Sequence, residues 1–128
     1  MARMPLGRGA YVALSALLCF VSGCATTQSR ISFLGEHYPP RAADAAVEVF
    51  RDGGVPDKPF NRIARLDVHL EKTGFVKSGL EDALPELKKQ ARQAGADAVI
   101  EIQEIRSQIL ETMVYHVTAT GVRYVPAP

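Results

Sequence analysis

The chain has 128 residues, of which 47% are hydrophobic and 23% are charged, and its formal net charge is +1. This length and composition predict one small globular domain, because a disordered chain carries more charge and fewer apolar residues. A net charge this small does not neutralise a run of phosphates. The sequence therefore predicts no nucleic-acid partner.

The first residues form a pattern typical of a secretory signal. A short basic segment contains Arg3 and Arg8, and an apolar run covers residues 10–21. This run is shorter than the roughly 20 residues that a helix needs to cross a bilayer. It therefore predicts a signal that is removed after export rather than a permanent transmembrane anchor.

Residues 21–24 read Val-Ser-Gly-Cys and resemble the bacterial lipobox. The resemblance implies that Cys24 receives a diacylglyceryl group and becomes the first residue of the mature chain, so that residues 1–23 are a lipoprotein signal peptide. An ordinary secretory signal that ends near a cysteine is the alternative. The other cysteine, Cys19, would leave with the signal, so no disulfide is expected within the mature chain.

Cleavage also removes Arg3 and Arg8 and leaves 13 basic against 14 acidic side chains. Electrostatic attraction to anionic lipid is then weak, and we expect the lipid on Cys24 to hold the protein at the membrane. In the lipoproteins that the lipobox implies, the residue after the cysteine directs sorting. Ala25 at that position, rather than Asp, implies the outer membrane, with the domain facing the periplasm.

A tether and one domain are expected after the lipidated cysteine. Residues 24–45 include small and polar residues and the Pro39-Pro40 pair, without a sustained apolar period, and predict the tether. Residues 46–128 then form the domain. Four segments in it alternate apolar with polar residues and predict strands, at residues 47–50, 65–71, 98–103 and 113–120.

One helix is predicted between the second and third of these strands. Apolar residues recur there at steps of three and four, at Leu80, Leu84, Leu87, Ala91 and Ala94. Gly95 then ends the helix. Ser78 and Glu81 have the spacing of a capping box, but Pro85 removes a backbone donor, so we expect the regular helix to begin near Leu84. The sequence thus predicts an α+β fold, with a small, mostly antiparallel four-stranded sheet in the order strand-strand-helix-strand-strand and the helix on one face.

Several segments carry a resemblance to known lipoproteins. They are Tyr38-Pro39-Pro40, Val47-Glu48-Val49-Phe50, residues 59–64 (Pro-Phe-Asn-Arg-Ile-Ala) and residues 91–100 (Ala-Arg-Gln-Ala-Gly-Ala-Asp-Ala-Val-Ile). With the lipobox, they make the chain resemble a family of small bacterial outer-membrane lipoproteins. Their domain is similar to that of the Rcs stress-sensor lipoprotein and, more distantly, to small domains named as heavy-metal binders. The chain lacks the domain cysteines of the Rcs sensor, so its disulfide-dependent fold and signalling are not carried over.

The histidines His37, His69 and His116 are the candidate metal ligands. The last two lie on the expected polar faces of strands, as do Asp67 and Glu101, and imidazole together with carboxylate can bind a metal ion. No two of these residues have the local spacing of a metal motif. A solvated polar face is therefore the interpretation we favour, and the sequence predicts no cofactor and no metal site.

No residue pattern predicts catalysis. Asp97 follows the helix stop, where a carboxylate ordinarily orders a turn by accepting backbone hydrogen bonds. Ser78 and Ser107 lie outside any nucleophile-elbow context, and no glycine-rich phosphate loop opens the helix. The expected function is contact with an envelope protein, in a structural, assembly or stress-sensing role. The alternative is a periplasmic metal-binding domain.

Overall fold

The computed structural model describes residues 25–126, which form an α+β fold in which one helix packs on a five-stranded mixed sheet. The elements in chain order are β1 (Ala25–Phe33), β2 (Glu48–Val49), β3 (Phe60–Lys72), α1 (Leu80–Ala94), β4 (Ala98–Ile109) and β5 (Thr112–Tyr124). The strand order is β1-β3-β5-β4-β2, and all neighbours are antiparallel except β2 and β4. The predicted α+β class is confirmed, but the sheet has five strands rather than four.

The additional strand is β1, which occupies the first part of the segment predicted as a tether. All nine of its residues pair with β3, from Ala25 opposite Lys72 to Phe33 opposite Ala64. β1 lies at the edge of the sheet, and only Ile31 in it is partly buried, so its sequence shows almost no apolar period. Within the described residues, the sheet therefore begins at Ala25 rather than near residue 46.

The main hydrophobic core lies between α1 and the two central strands, β3 and β5. The helix-facing sides of these strands bury Leu66, Val68 and Val117, and α1 buries Leu87 against them. Complete burial of a side chain of this size is worth about 1.5–3 kcal/mol. This interface is therefore the main source of stability for a domain with no disulfide in its described part.

α1 begins four residues earlier than the sequence predicts. Gly79 is its N-cap, and the Gly79 amide donates a hydrogen bond to Asp82 Oδ2 at 2.8 Å. This contact holds the pKa of the Asp82 carboxyl below its usual value. Pro85 lies inside the helix but on its exposed side, where water can reach the Glu81 carbonyl that a proline leaves unpaired. The expected start near Leu84 is wrong for this reason.

Gly95 ends α1 as predicted. Its φ of 81° lies in the left-handed region, and a Cβ at this position would lie 2.8 Å from Cβ of Tyr38. The backbone conformation and the close approach both require glycine. This contact fixes the segment before β2 against the end of the helix.

A β-bulge divides β4 into two parts. The register with β5 shifts between Ile100 and Gln103, where Glu101 has a φ of 55°. Before the bulge, Ile100 packs with Val122 in a small second core on the side away from α1, and after it Ile102 packs with the main core. The bulge thus changes which residues of β4 face the helix.

Candidate functional site: two histidine–carboxylate pairs on the open sheet face

The sheet face opposite α1 carries the candidate ligands His69 and His116. β3 and β5 are neighbours, and their register places His69 directly opposite His116. On the same face, Asp67 lies two residues from His69, and β1 adds Gln28 opposite His69. The sequence identified both histidines and Asp67, and the strand order brings these three residues together.

Each histidine is paired with its own carboxylate. Nε2 of His116 contacts Oδ1 of Asp67, and Nε2 of His69 lies 2.9 Å from Oε1 of Glu71. A carboxylate oxygen accepts hydrogen bonds, so each contact requires the tautomer of the histidine that has its proton on Nε2. The rings meet edge to face, with centroids 5.6 Å apart. Sequence reasoning missed Glu71 as a member of this cluster, although it stands two residues after His69 on the same alternating face.

An open depression of about 370 Å³ is lined by three members of the cluster, Asp67, His69 and His116, together with Gln28, Ser29 and Arg30 of β1. Residues 25–126 contain no group of three or more His, Cys, Asp or Glu arranged to hold a metal ion. A metal ion that binds at Nε2 would displace the proton there, whereas Nδ1 of the same tautomer keeps a free lone pair. As it stands, the face donates and accepts hydrogen bonds.

Glu101 is not part of this cluster. Its Oε1 lies 2.8 Å from Nε of Arg62, and this hydrogen bond lowers the pKa of Glu101 below its usual value. The structure therefore corrects the grouping of Glu101 with His69 and His116. The physical reason is the register of β4 with β5, which places residues 100–103 opposite Thr118 and Thr120, whereas His116 lies further along the sheet, opposite Ile105.

Asp97 and His37 have structural roles. The amide of Tyr124 donates to Oδ2 of Asp97 at 2.7 Å, so this backbone donor lies 27 residues away in β5 and not in the turn that Asp97 was expected to order. The His37 ring stacks on Phe33 beyond the end of β1, with centroids 3.9 Å apart. Cys24, the predicted lipidation site, lies outside the described residues.

The outer edge of β4 is a second candidate site, which sequence reasoning missed. β2 pairs only with Ala98 and Val99, and within residues 25–126 no strand pairs with the outer side of residues 103–109. Ile105 and Ile109 on this edge are exposed. The signal in the sequence was the recurrence of these isoleucines beyond residue 103, where the predicted strand ended.

The side of β4 that faces α1 carries charges along this edge. The Tyr115 hydroxyl donates to Glu104 Oε1 at 2.6 Å, and the guanidinium of Arg106 lies over the Tyr115 ring. Burial, together with the Glu104 contact, raises the pKa of Tyr115 above its usual value. Charged residues on an edge strand oppose uncontrolled pairing with other strands.

Within the part of the chain that the structure describes, no helix is long and apolar enough to cross a membrane. No protein-family model matches the chain, and no curated protein matches it. Among solved structures, the crystal structure of the Francisella virulence factor FvfA is similar, with 17% sequence identity and a TM-score of 0.48, over 73% of this chain and 97% of that one. Function is therefore inferred from the residues of this chain.

Proposed function

We propose that this chain is a lipid-anchored envelope protein that acts by binding another protein and performs no catalysis. The lipobox at residues 21–24 supports lipidation of Cys24, and Ala25 after it supports the outer membrane, with the domain facing the periplasm. The observation that supports binding to another protein is the open edge of β4 at residues 103–109.

The open edge presents backbone groups in a regular row. Leu110 and Glu111 form the two-residue turn between β4 and β5, so Ile109 and Thr112, which flank the turn, are hydrogen-bonded to each other. Along two antiparallel strands, hydrogen-bonded residue pairs alternate with pairs that are not hydrogen-bonded to each other. The amides and carbonyls of the even-numbered residues of this edge therefore point away from β5. An extended segment of a partner can add there as a further strand.

The opposite edge, formed by β1, is a poorer binding site. Eight of its nine residues are exposed, and most of them are polar. Ser29 already donates to Oε1 of Glu86 in α1 at 2.8 Å. β4 instead offers Ile105 and Ile109, whose apolar surface a partner strand can cover. Strand addition is therefore expected at β4.

Photocrosslinking in intact cells tests this mode of action. A photoreactive residue at Gln108, on the open edge, should capture a discrete envelope protein, whereas the same residue at Lys89, on the exposed side of α1, should not. Arg106→Pro removes one edge amide and should abolish the crosslink. Arg106→Ala loses the same side chain but keeps the amide and should retain it. A crosslink that survives Arg106→Pro, or no product from Gln108, contradicts strand addition.

Metabolic labelling with fatty acid tests the proposed lipidation of Cys24 separately. Cys24→Ala should abolish both the incorporation of label and the removal of residues 1–23. Labelled fatty acid in the Cys24→Ala variant would show that the lipoprotein assignment is wrong.

Metal binding is the second candidate function, and the register of β3 with β5 favours it. His69 and His116 lie opposite each other, with Glu71 and Asp67 at their Nε2 atoms. Titration of the intact protein with zinc and copper tests this candidate. One ion bound at submicromolar affinity, and lost in the His69→Ala/His116→Ala variant, would make metal capture the leading function. Metal binding that does not saturate would rule out this second candidate function.

A further inference from the structure

Two loops at one end of the sheet present exposed apolar side chains. Phe75 and Val76 lie in the β3–α1 loop, and Ile109 and Leu110 lie at the β4–β5 turn. We call these four residues the apolar tip, and their exposed fractions are 65%, 50%, 65% and 82% in that order. The Phe75 amide donates to the Glu111 carbonyl at 2.8 Å and so joins the two loops. The apolar tip is therefore one patch, and a patch of this kind marks a contact site.

The backbone of the apolar tip is strained at its two largest exposed side chains. Phe75 has a φ of 60° and Leu110 a φ of 54°. This left-handed region favours glycine and asparagine, and a bulky residue there costs conformational energy. A two-residue hairpin turn with positive φ at its first position ordinarily has glycine there. Neither side chain is buried in the domain, so packing within the fold does not explain the choice of residue.

The apolar tip lies at the end of the sheet where β1 begins. Ala25 pairs with Lys72, and Lys72 pairs with Met113, which directly follows the first residue after the β4–β5 turn. Cys24 directly precedes Ala25 in the sequence. Phe33 is at the other end of β1, and the rise per residue of a strand places it about 27 Å from Ala25. The predicted attachment point of the lipid and the apolar tip are therefore at the same end of the molecule.

We propose that the apolar tip inserts into the phospholipid surface to which Cys24 is anchored. The inference rests on the proposed lipidation of Cys24. A lipid on the residue before β1 holds this end of the sheet at the membrane, where Phe75 and Leu110 meet the boundary between headgroups and acyl chains. Lys77 is exposed beside them and can extend its ammonium group toward the headgroups. In this orientation Ile109, at the end of the open edge, contacts the membrane, and the rest of that edge, with Ile105, faces sideways and stays accessible to a partner.

Two matched cysteine variants of the intact lipoprotein test the insertion. Leu110→Cys lies on the apolar tip, and Leu34→Cys lies just beyond the far end of β1, where the leucine is 55% exposed. Each is labelled with an environment-sensitive NBD fluorophore and reconstituted into vesicles of phosphatidylethanolamine with a minor fraction of phosphatidylglycerol, with doxyl quenchers on the acyl chains. We expect a blue shift and quenching at position 110 and neither at position 34. Equal signals at the two positions overturn the proposal.

A further pair of variants separates membrane contact from folding. Asparagine adopts the φ of Phe75 readily, so Phe75→Asn should keep or raise the thermal unfolding temperature while it reduces the quenching at position 110. Phe75→Leu is the matched control and should keep the quenching. Unchanged quenching in Phe75→Asn overturns the insertion. If Cys24 carries no fatty acid, both proposals fall, but if Cys24 is acylated and position 110 is not quenched, only the insertion falls.

Discussion

The two faces of the sheet come from the same central strands, yet different interactions hold their side chains. On the face covered by α1, Leu66, Val68 and Val117 are buried among apolar neighbours. On the open face, the neighbouring residues Asp67 and His116 stay partly exposed and contact each other through a polar pair. Alternation along a strand thus separates the two roles. The covered face carries the main core, and the part of the open face around His69 and His116 carries groups that can change without unfolding the domain.

The largest effect is expected on the covered face, from Leu87→Ala. Leu87 is fully buried at the centre of the helix stripe, so the substitution leaves a cavity against the sheet and should cost about 2–5 kcal/mol of unfolding free energy. Urea unfolding measures this loss, with Lys88→Ala on the same helix as the control. A loss below about 0.5 kcal/mol, the size of an ordinary surface substitution, would contradict the burial of this face.

A smaller loss is expected from Gln90→Ala, at the boundary between α1 and the edge strand. The Gln90 amide donates to the carbonyls of Asp67 and Arg30 at 2.9 and 3.3 Å, so it ties the helix to β3 and β1 together. Losing these bonds should cost about 1–3 kcal/mol. Hydrogen exchange should speed up most at the amides of β1. Uniform acceleration across the sheet would show that Gln90 does not hold β1 in particular.

On the open face, the double substitution His69→Gln/His116→Gln should have little effect on stability. Both side chains are partly exposed, and exposed polar pairs are worth no more than about 1 kcal/mol. Thermal unfolding of the double variant beside Leu87→Ala measures the contrast between the faces directly. A destabilisation as large as that of Leu87→Ala would mean that the open face is part of the structural core.

The smallest effect is expected from Glu101 at low pH. The hydrogen bond from Arg62 lowers the pKa of Glu101, so the pair adds stability above the ordinary glutamate value of 4.5, and this stability is lost as the pH falls through the lower value of the folded state. Glu101→Gln lacks this dependence, and its unfolding temperature should fall less than that of the wild type on acidification. The pKa of Asp82 is also lowered, but Asp82 titrates in both proteins, so the difference reports Glu101. Parallel acid profiles would contradict the assignment.

The parts of the fold that sequence reasoning identified are those that bury one face. β3 and β5 alternate clearly because every second residue packs under α1, and the stripe through Leu87 marks the helix for the same reason. β1 buries almost nothing, so its pairing with β3 leaves no period in its sequence. The start of α1 was missed because the cost of Pro85 depends on which side of the helix it occupies.

The candidate site was predicted residue by residue but not as an arrangement. Asp67, His69 and His116 share polar faces in the sequence pattern, yet whether they meet depends on β3 and β5 being neighbours, and pairing between strands 40 or more residues apart has no local signal. Glu101 shows the opposite failure. Its place in the pattern was clear, but the register puts it beside Arg62, at a different level of the sheet from His116.

If Cys24 carries a lipid, the position of β1 also limits how far the domain can move from the membrane. A flexible tether over residues 25–45 would reach about 70 Å when extended. With Ala25–Phe33 held in the sheet, a single peptide bond would separate a lipidated Cys24 from the rigid domain. The effective concentration of the domain would then be high for partners at the same membrane surface and close to zero for those across the periplasm. A flexible insertion between Cys24 and Ala25 would therefore change which proteins the domain can meet without altering any contact within it.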